Sequence, residues 1–194
     1  MPPSRDSHGA PALATEHLVL RGHRPGDFES CRVMWSDPAV TRHIGGKPFA
    51  ADEVWSKILR YAGLWPLLGF GYWAIEERRS GRFVGEVGFA DFQRDLAPSF
   101  AGAPEIGWAL APWAHGAGMA SEAVGAALAW ADAHLDATRT VCLINPDNAA
   151  SLRVAGKSGY REFARTLYKE RPTILFERSA DAVRRTPRRG HPRS

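Results

Sequence analysis

Twelve residues, Pro112-Trp113-Ala114-His115-Gly116-Ala117-Gly118-Met119-Ala120-Ser121-Glu122-Ala123, constrain this chain most, because they carry a strand through two glycines into a helix. Glu105-Ile106-Gly107-Trp108-Ala109-Leu110 has strand character, and Val124, Leu128, Ala131 and Leu135 mark one helix face beyond the turn. Gly116 and Gly118 let the main chain turn and approach a ligand without a Cβ clash, so free N–H groups at the helix start can point at phosphate oxygens. An anionic cofactor is one reading, and a tight structural turn is the other. Two commoner phosphate signatures fail. A dinucleotide fingerprint needs a third glycine where Ser121 stands, and Gly156-Lys157-Ser158 ends like a P-loop but has Ser151 at the required first glycine.

The chain of 194 residues fits one domain with a sizeable core. Its net charge of +4 suggests nucleic acid until the charge is located. Beyond residue 178, Arg184, Arg185, Arg188, Arg189 and Arg193 set against Asp181 account for all of it, so the body is neutral. A broad phosphate-binding face is not expected, and nucleic-acid contact is confined to that arginine tail. Residues 1–14 and 179–194 read as flexible tails around a domain of residues 15–178. Met1 to Ala14 has no secretory apolar core, and the longest uncharged runs fall short of the ~20 residues of a membrane span. A cytoplasmic protein is expected. Cys31 and Cys142 fit buried apolar positions, and no two of the seven histidines lie within four residues, so no local metal pair is visible.

A mixed order of elements is expected. His17 to Arg21 reads as a strand, Phe28 to Ser36 as a helix opened by Asp27, and Asp52 to Ala62 as a helix stopped at Gly63. Strands over 71–77 and 83–92 flank a polar turn, and the strand at Glu105 and a helix over about 118–137 follow. Thr140-Val141-Cys142-Leu143-Ile144 is a buried strand, Asn148 opens a short helix closed by Gly159, and two last strands face each other across Glu170-Arg171-Pro172. Trp73, Trp108 and Trp130 fit a core. Trp35, Trp55, Trp65 and Trp113 are cleft candidates, each with core packing as the competing reading.

In ordered combination, the Glu105-Ile106-Gly107-Trp108 strand, the turn ending Ala120-Ser121-Glu122-Ala123 and the Asn148-x-x-Ser151 helix closing at Gly159-Tyr160 resemble the GCN5-related N-acetyltransferases (GNAT). Within them the chain resembles the branch of ribosomal-protein N-terminal acetyltransferases, over roughly residues 17 to 178. The resemblance implies an α/β fold: a mixed, mostly antiparallel sheet of about seven strands with helices on both faces. It implies acetyl-CoA as cosubstrate, no metal, a primary amine as acceptor, and leaves a homodimer open. Trp108, Ala109 and Leu110 would run beside the pantetheine arm. His115, Gly116, Ala117, Gly118, Met119 and Ala120 would hold the pyrophosphate, with Asn148 and Lys157 as further cofactor contacts.

The implied chemistry is attack of a neutral amine on a thioester, which calls for a base, and the departing thiolate benefits from an acid. Glu105, at the start of the strand beside the cofactor, is the candidate base, with Glu86 and Asp91 as substitutes and a surface carboxylate as the plain alternative. Many relatives place a tyrosine acid on the short helix where this chain has Ala155, so Ser151 becomes the candidate acid, or an ordinary helix-start serine. His115 replaces the Gln or Arg common at the start of the pyrophosphate loop, and Tyr160 is expected under the sheet. Two other classes stand beside an acetyltransferase: a catalytically weak acyl-CoA-binding protein, and a ribosome- or RNA-associated module using the arginine tail.

Overall fold

The computed structural model describes residues 9–180. In chain order the elements are β1 (Leu13–Ala14), β2 (Leu18–Arg21), α1 (Phe28–Ser36), α2 (Pro38–Thr41), α3 (Ala51–Leu68), β3 (Tyr72–Glu77) and β4 (Phe83–Ala90). There follow β5 (Glu105–Leu110), α4 (Met119–His134), β6 (Arg139–Ile144), α5 (Ala149–Lys157), β7 (Arg161–Tyr168) and β8 (Arg171–Ser179). The strands form one mixed sheet in the order β1-β2-β3-β4-β5-β6-β8-β7. Every pairing is antiparallel except β5 with β6.

The sheet has eight strands rather than about seven. The additional one is β1, in a segment that composition alone assigns to the amino-terminal tail. Ala10 is fully buried and Trp73 Nε1 donates to the Pro11 carbonyl at 2.8 Å, so residues 9–14 belong to the packed body. A two-residue strand has no periodicity to read. At the other end Ser179 completes β8, and residues 181–194, like residues 1–8, lie outside the described residues.

Local chemistry explains most boundaries. The Glu53 carboxylate accepts from the Ala50 N–H at 2.7 Å and starts α3. That helix runs through Gly63, because Tyr61, Leu64 and Trp65 continue its buried face; Gly69, at φ 75°, stops it instead. The β7–β8 hairpin turns on Lys169 and Glu170, both with positive φ. This tight two-residue turn lacks the usual Asn-Gly cue, so the expected turn began one residue late and ran on to Pro172.

Alternation along the central strands builds two unlike faces. Val87, Phe89, Ile106 and Leu110 face α4, whose Val124, Ala127, Leu128 and Ala131 close a core with Trp65, Trp73 and Trp130. Those three indoles meet edge-on, with centroids 4.7 to 5.3 Å apart. Trp65 is therefore core, not cleft. On the opposite face Cys31, Met34, Trp35, Val54 and Ile58 of α1 and α3 pack over Ala109. The same face of β4 and β5 carries Glu86, Gly88, Glu105 and Gly107, and the site forms there.

Candidate active site

The parallel pair β5–β6 holds together at one register point, Glu105 with Val141, supported by the Val141 N–H to Pro104 carbonyl bond at 3.0 Å. Beyond it the two strands part. The gap opens into a cleft of about 830 Å³ walled by Gly107, Trp108 and Ala109 on one side and Leu143, Ile144 and Asn145 on the other. Parted strands present unpaired main-chain groups, which an extended ligand bearing amides can satisfy as an added strand would.

Past the open end of β5 the chain turns into α4 through Gly116 and Gly118, at φ 79° and 80°. Both occupy the left-handed region that glycine alone enters without strain. The His115 N–H is spent on the Pro112 carbonyl at 3.1 Å, so the run of available amides starts one residue later than expected. Among the described residues, the N–H groups of 116–121 have no main-chain acceptor, and they sit at the positive end of a helix spanning Met119–His134. His115 does not point toward them. Its Nε2 lies 2.8 Å from the Leu110 carbonyl, which ties the imidazole back to the end of β5.

Of the residues singled out from sequence, Glu105, Trp108, Ala109, Asn148 and Ser151 line the cleft together. The loop from His115 to Ala120 and the exposed Lys157 stand apart from that lining, as does Leu110, which is buried toward α4. Asn148 Oδ1 accepts from the Ser151 N–H at 3.1 Å and caps α5, so the Ser151 side chain is presented at a fixed helix start. Ala155 is fully buried in the α4-side core, and Tyr160 packs beneath the sheet with its hydroxyl 2.6 Å from Thr140 Oγ1. Trp35 and Trp108 both reach the cleft, so Trp108 serves a role beyond core packing; Trp55 and Trp113 do not.

Glu105 is buried, and both of its oxygens accept from Arg94: Nε to Oε2 at 2.5 Å and Nη2 to Oε1 at 2.7 Å. Arg94 also donates to the Tyr168 hydroxyl at 2.7 Å, joining the loop after β4 to the end of β7 across the mouth of the cleft. Glu86, the first substitute, also lines the cleft; it accepts from Trp35 Nε1 at 3.1 Å and from the Cys31 thiol at 3.5 Å. Asp91 lies outside it, bonded to Gln93.

Two buried bases surround Glu86. Lys57 lies over the rings of Trp35 and Tyr61, 4.1 and 4.7 Å from their centroids. Burial pulls its ammonium down from 10.5 to about 8, while the charge of Glu86 acts in the opposite sense. His23 has both ring nitrogens buried without a hydrogen-bond partner, and burial lowers its pKa. His23, Cys31 and Glu86 bring three metal-type donors within 4.8 Å of one another, a cluster assembled from distant positions that local spacing could not show. Burial, then Glu86, pushes the Cys31 thiol upward and keeps it protonated.

Comparison with known families decides the lineage: residues 17–161 match the family described as Acetyltransferase (GNAT) domain. The chain belongs to the GNAT family. The uncharacterized N-acetyltransferase YoaA of Bacillus subtilis strain 168 is 29% identical over 153 residues, covering 78% of this chain and 84% of YoaA. An acetyltransferase from Agrobacterium tumefaciens strain C58 superposes with a TM-score of 0.75 at 26% identity, covering 87% of this chain and 94% of that one. RimL, a ribosomal L7/L12 alpha-N-protein acetyltransferase in complex with coenzyme A, shares the fold with a TM-score of 0.70 at 17% identity, over 88% and 98% of the two chains. In this GNAT chain, the parted β5–β6 pair leaves a cleft beside Glu105, and the amides of 116–121 lie without main-chain acceptors at the start of α4.

Proposed function

We propose that this GNAT protein transfers the acetyl group of acetyl-CoA to a primary amine by direct attack on the thioester, and that its preferred acceptor is a peptide N-terminal amine. The parting of β5 from β6 directly after Glu105 is the observation that carries the reading, because it sets a slot for the cosubstrate beside a carboxylate. The pantetheine arm lies along Trp108 to Leu110, and the pyrophosphate meets the amides from Gly116 onward. The amine lone pair forms the C–N bond and Glu105 takes the surplus ammonium proton through a water. The C–S bond then breaks, and the thiolate receives a proton from the Ser151 hydroxyl, which recovers one from solvent.

The state of Glu105 bears on the acceptor. Both Glu105 oxygens are already engaged by Arg94, so the proton reaches it by way of water and an acceptor that arrives neutral is favoured. An α-amine, with a pKa of about 7.7–8.0 against about 10.4 for lysine, asks less of it, because far more is neutral at pH 7. The test is a panel of N-terminal peptides, lysine peptides and polyamines incubated with acetyl-CoA and read by mass spectrometry, with and without residues 181–194. Acetylation at peptide α-amines is expected. Modification confined to lysine side chains or polyamines would overturn the acceptor class.

A further inference from the structure

Tyr72 opens β3 on the face that carries Glu86 and Glu105, opposite Gly88 of β4, which in turn pairs with Gly107 of β5. With no side chain at Gly88 or Gly107, the Tyr72 ring lies across β4 and its hydroxyl reaches β5. A Cβ added at Gly107 would collide with Tyr72 Oη. The ring is clamped from the other side by Tyr61, stacked at 4.0 Å and 1° from parallel. The hydroxyl therefore occupies the place of the missing Gly107 side chain, between Glu105 and Ala109 on the same strand face, at the level where β5 leaves β6. Tyr72 lines the cleft, and its hydroxyl has no hydrogen-bond partner among the described residues. A hydroxyl held this rigidly without a protein partner is placed for a ligand.

We infer that Tyr72 is a catalytic residue whose hydroxyl donates a hydrogen bond to the thioester carbonyl oxygen as that oxygen becomes an oxyanion. The inference rests on the acetyltransferase reading above. As the amine nitrogen bonds to the carbonyl carbon, the π pair moves to oxygen and is stabilised by the Tyr72 O–H. The pair then returns and expels the thiolate. Tyr72 keeps its proton throughout, consistent with burial and the nearby Glu105 charge both raising its pKa. A fixed donor at a developing oxyanion contributes roughly 10²- to 10³-fold to turnover.

Tyr72→Phe keeps the stack on Tyr61 and the packing over Gly88 while deleting the donor. Turnover should fall roughly 10²-fold or more, with unchanged acetyl-CoA affinity by calorimetry and an unchanged shape of the pH–rate profile. Gly107→Ala should produce a similar loss by driving the hydroxyl aside. Added to Tyr72→Phe, it should cost little more, because its Cβ would stand 3.4 Å from the Tyr72 Cζ, an ordinary contact. Turnover within twofold of wild type in Tyr72→Phe, fully additive losses in the double variant, or disappearance of one limb of the pH profile would each overturn the assignment. A wild-type protein that binds acetyl-CoA and acetylates no amine would refute the underlying reading instead.

Discussion

Lys57→Met should raise the melting temperature at neutral pH and lose that advantage in alkali. Lys57 is buried, and burial pulls its ammonium from 10.5 to about 8. At about 1.36 kcal/mol per pH unit, keeping it charged costs the folded state about 3 kcal/mol below pH 8. The imperfect fit of methionine between the Trp35 and Tyr61 rings takes back about 1–1.5 kcal/mol of this. Methionine occupies similar length without charge, so a net gain of about 1–2 kcal/mol follows, or roughly 2–8 °C in Tm for a domain of this size. The sign follows from linkage. Between pH 8 and 10.5 the unfolded lysine holds a proton that the folded one has lost, so wild-type stability gains on the variant as pH rises, and the penalty is gone above 10.5. Differential scanning calorimetry of both proteins at pH 7 and pH 10 checks this. A variant that melts below wild type at pH 7, or a difference equal at both pH values, would refute the reasoning.

Gly118→Val places a β-branched residue at φ 80° beside the free amides, so acetyl-CoA affinity should drop at least tenfold by calorimetry while the far-ultraviolet circular dichroism spectrum stays native. Glu105→Gln should lower turnover by about 10²- to 10⁴-fold, most strongly at low pH where the amine is protonated, with acetyl-CoA affinity retained; an overlaying pH–rate profile would move the base to Glu86. Arg21→Ala strands two carboxylates that the guanidinium holds, Asp27 at 2.6 Å and Glu76 at 2.5 Å. A loss of about 3–5 kcal/mol is expected in urea denaturation, as for a broken buried ion network.

What could be read from sequence follows from how local the signals are. The Gly116–Gly118 turn and the Asn148 cap are set by residues next to one another and stand as read; α1 keeps its expected limits, but Asp27 makes no side-chain cap there, its carboxylate being held by Arg21 and the Arg24 N–H. Gly63 misled because the same residue type stops a helix or rides inside one, according to whether Trp65 beyond it has a core to enter. The site is less legible than the fold. Glu105 is visible as a carboxylate at a strand start, but its pairing with Arg94 depends on how the loop after β4 folds back. Tyr72 becomes a cleft residue only once register sets Gly88 and Gly107 in line with it. His23, Cys31, Lys57 and Glu86 meet through tertiary packing alone.

Amide hydrogen exchange with and without acetyl-CoA tests the cosubstrate slot most directly, because it reads the main-chain groups that the ligand is said to engage. Saturating acetyl-CoA should slow exchange in peptides covering 106–122 and 143–152 and leave the β3–β4 turn at 78–82 unchanged. Unaltered exchange across 106–122 at a ligand concentration where calorimetry shows full binding would contradict the placement of acetyl-CoA between β5 and β6.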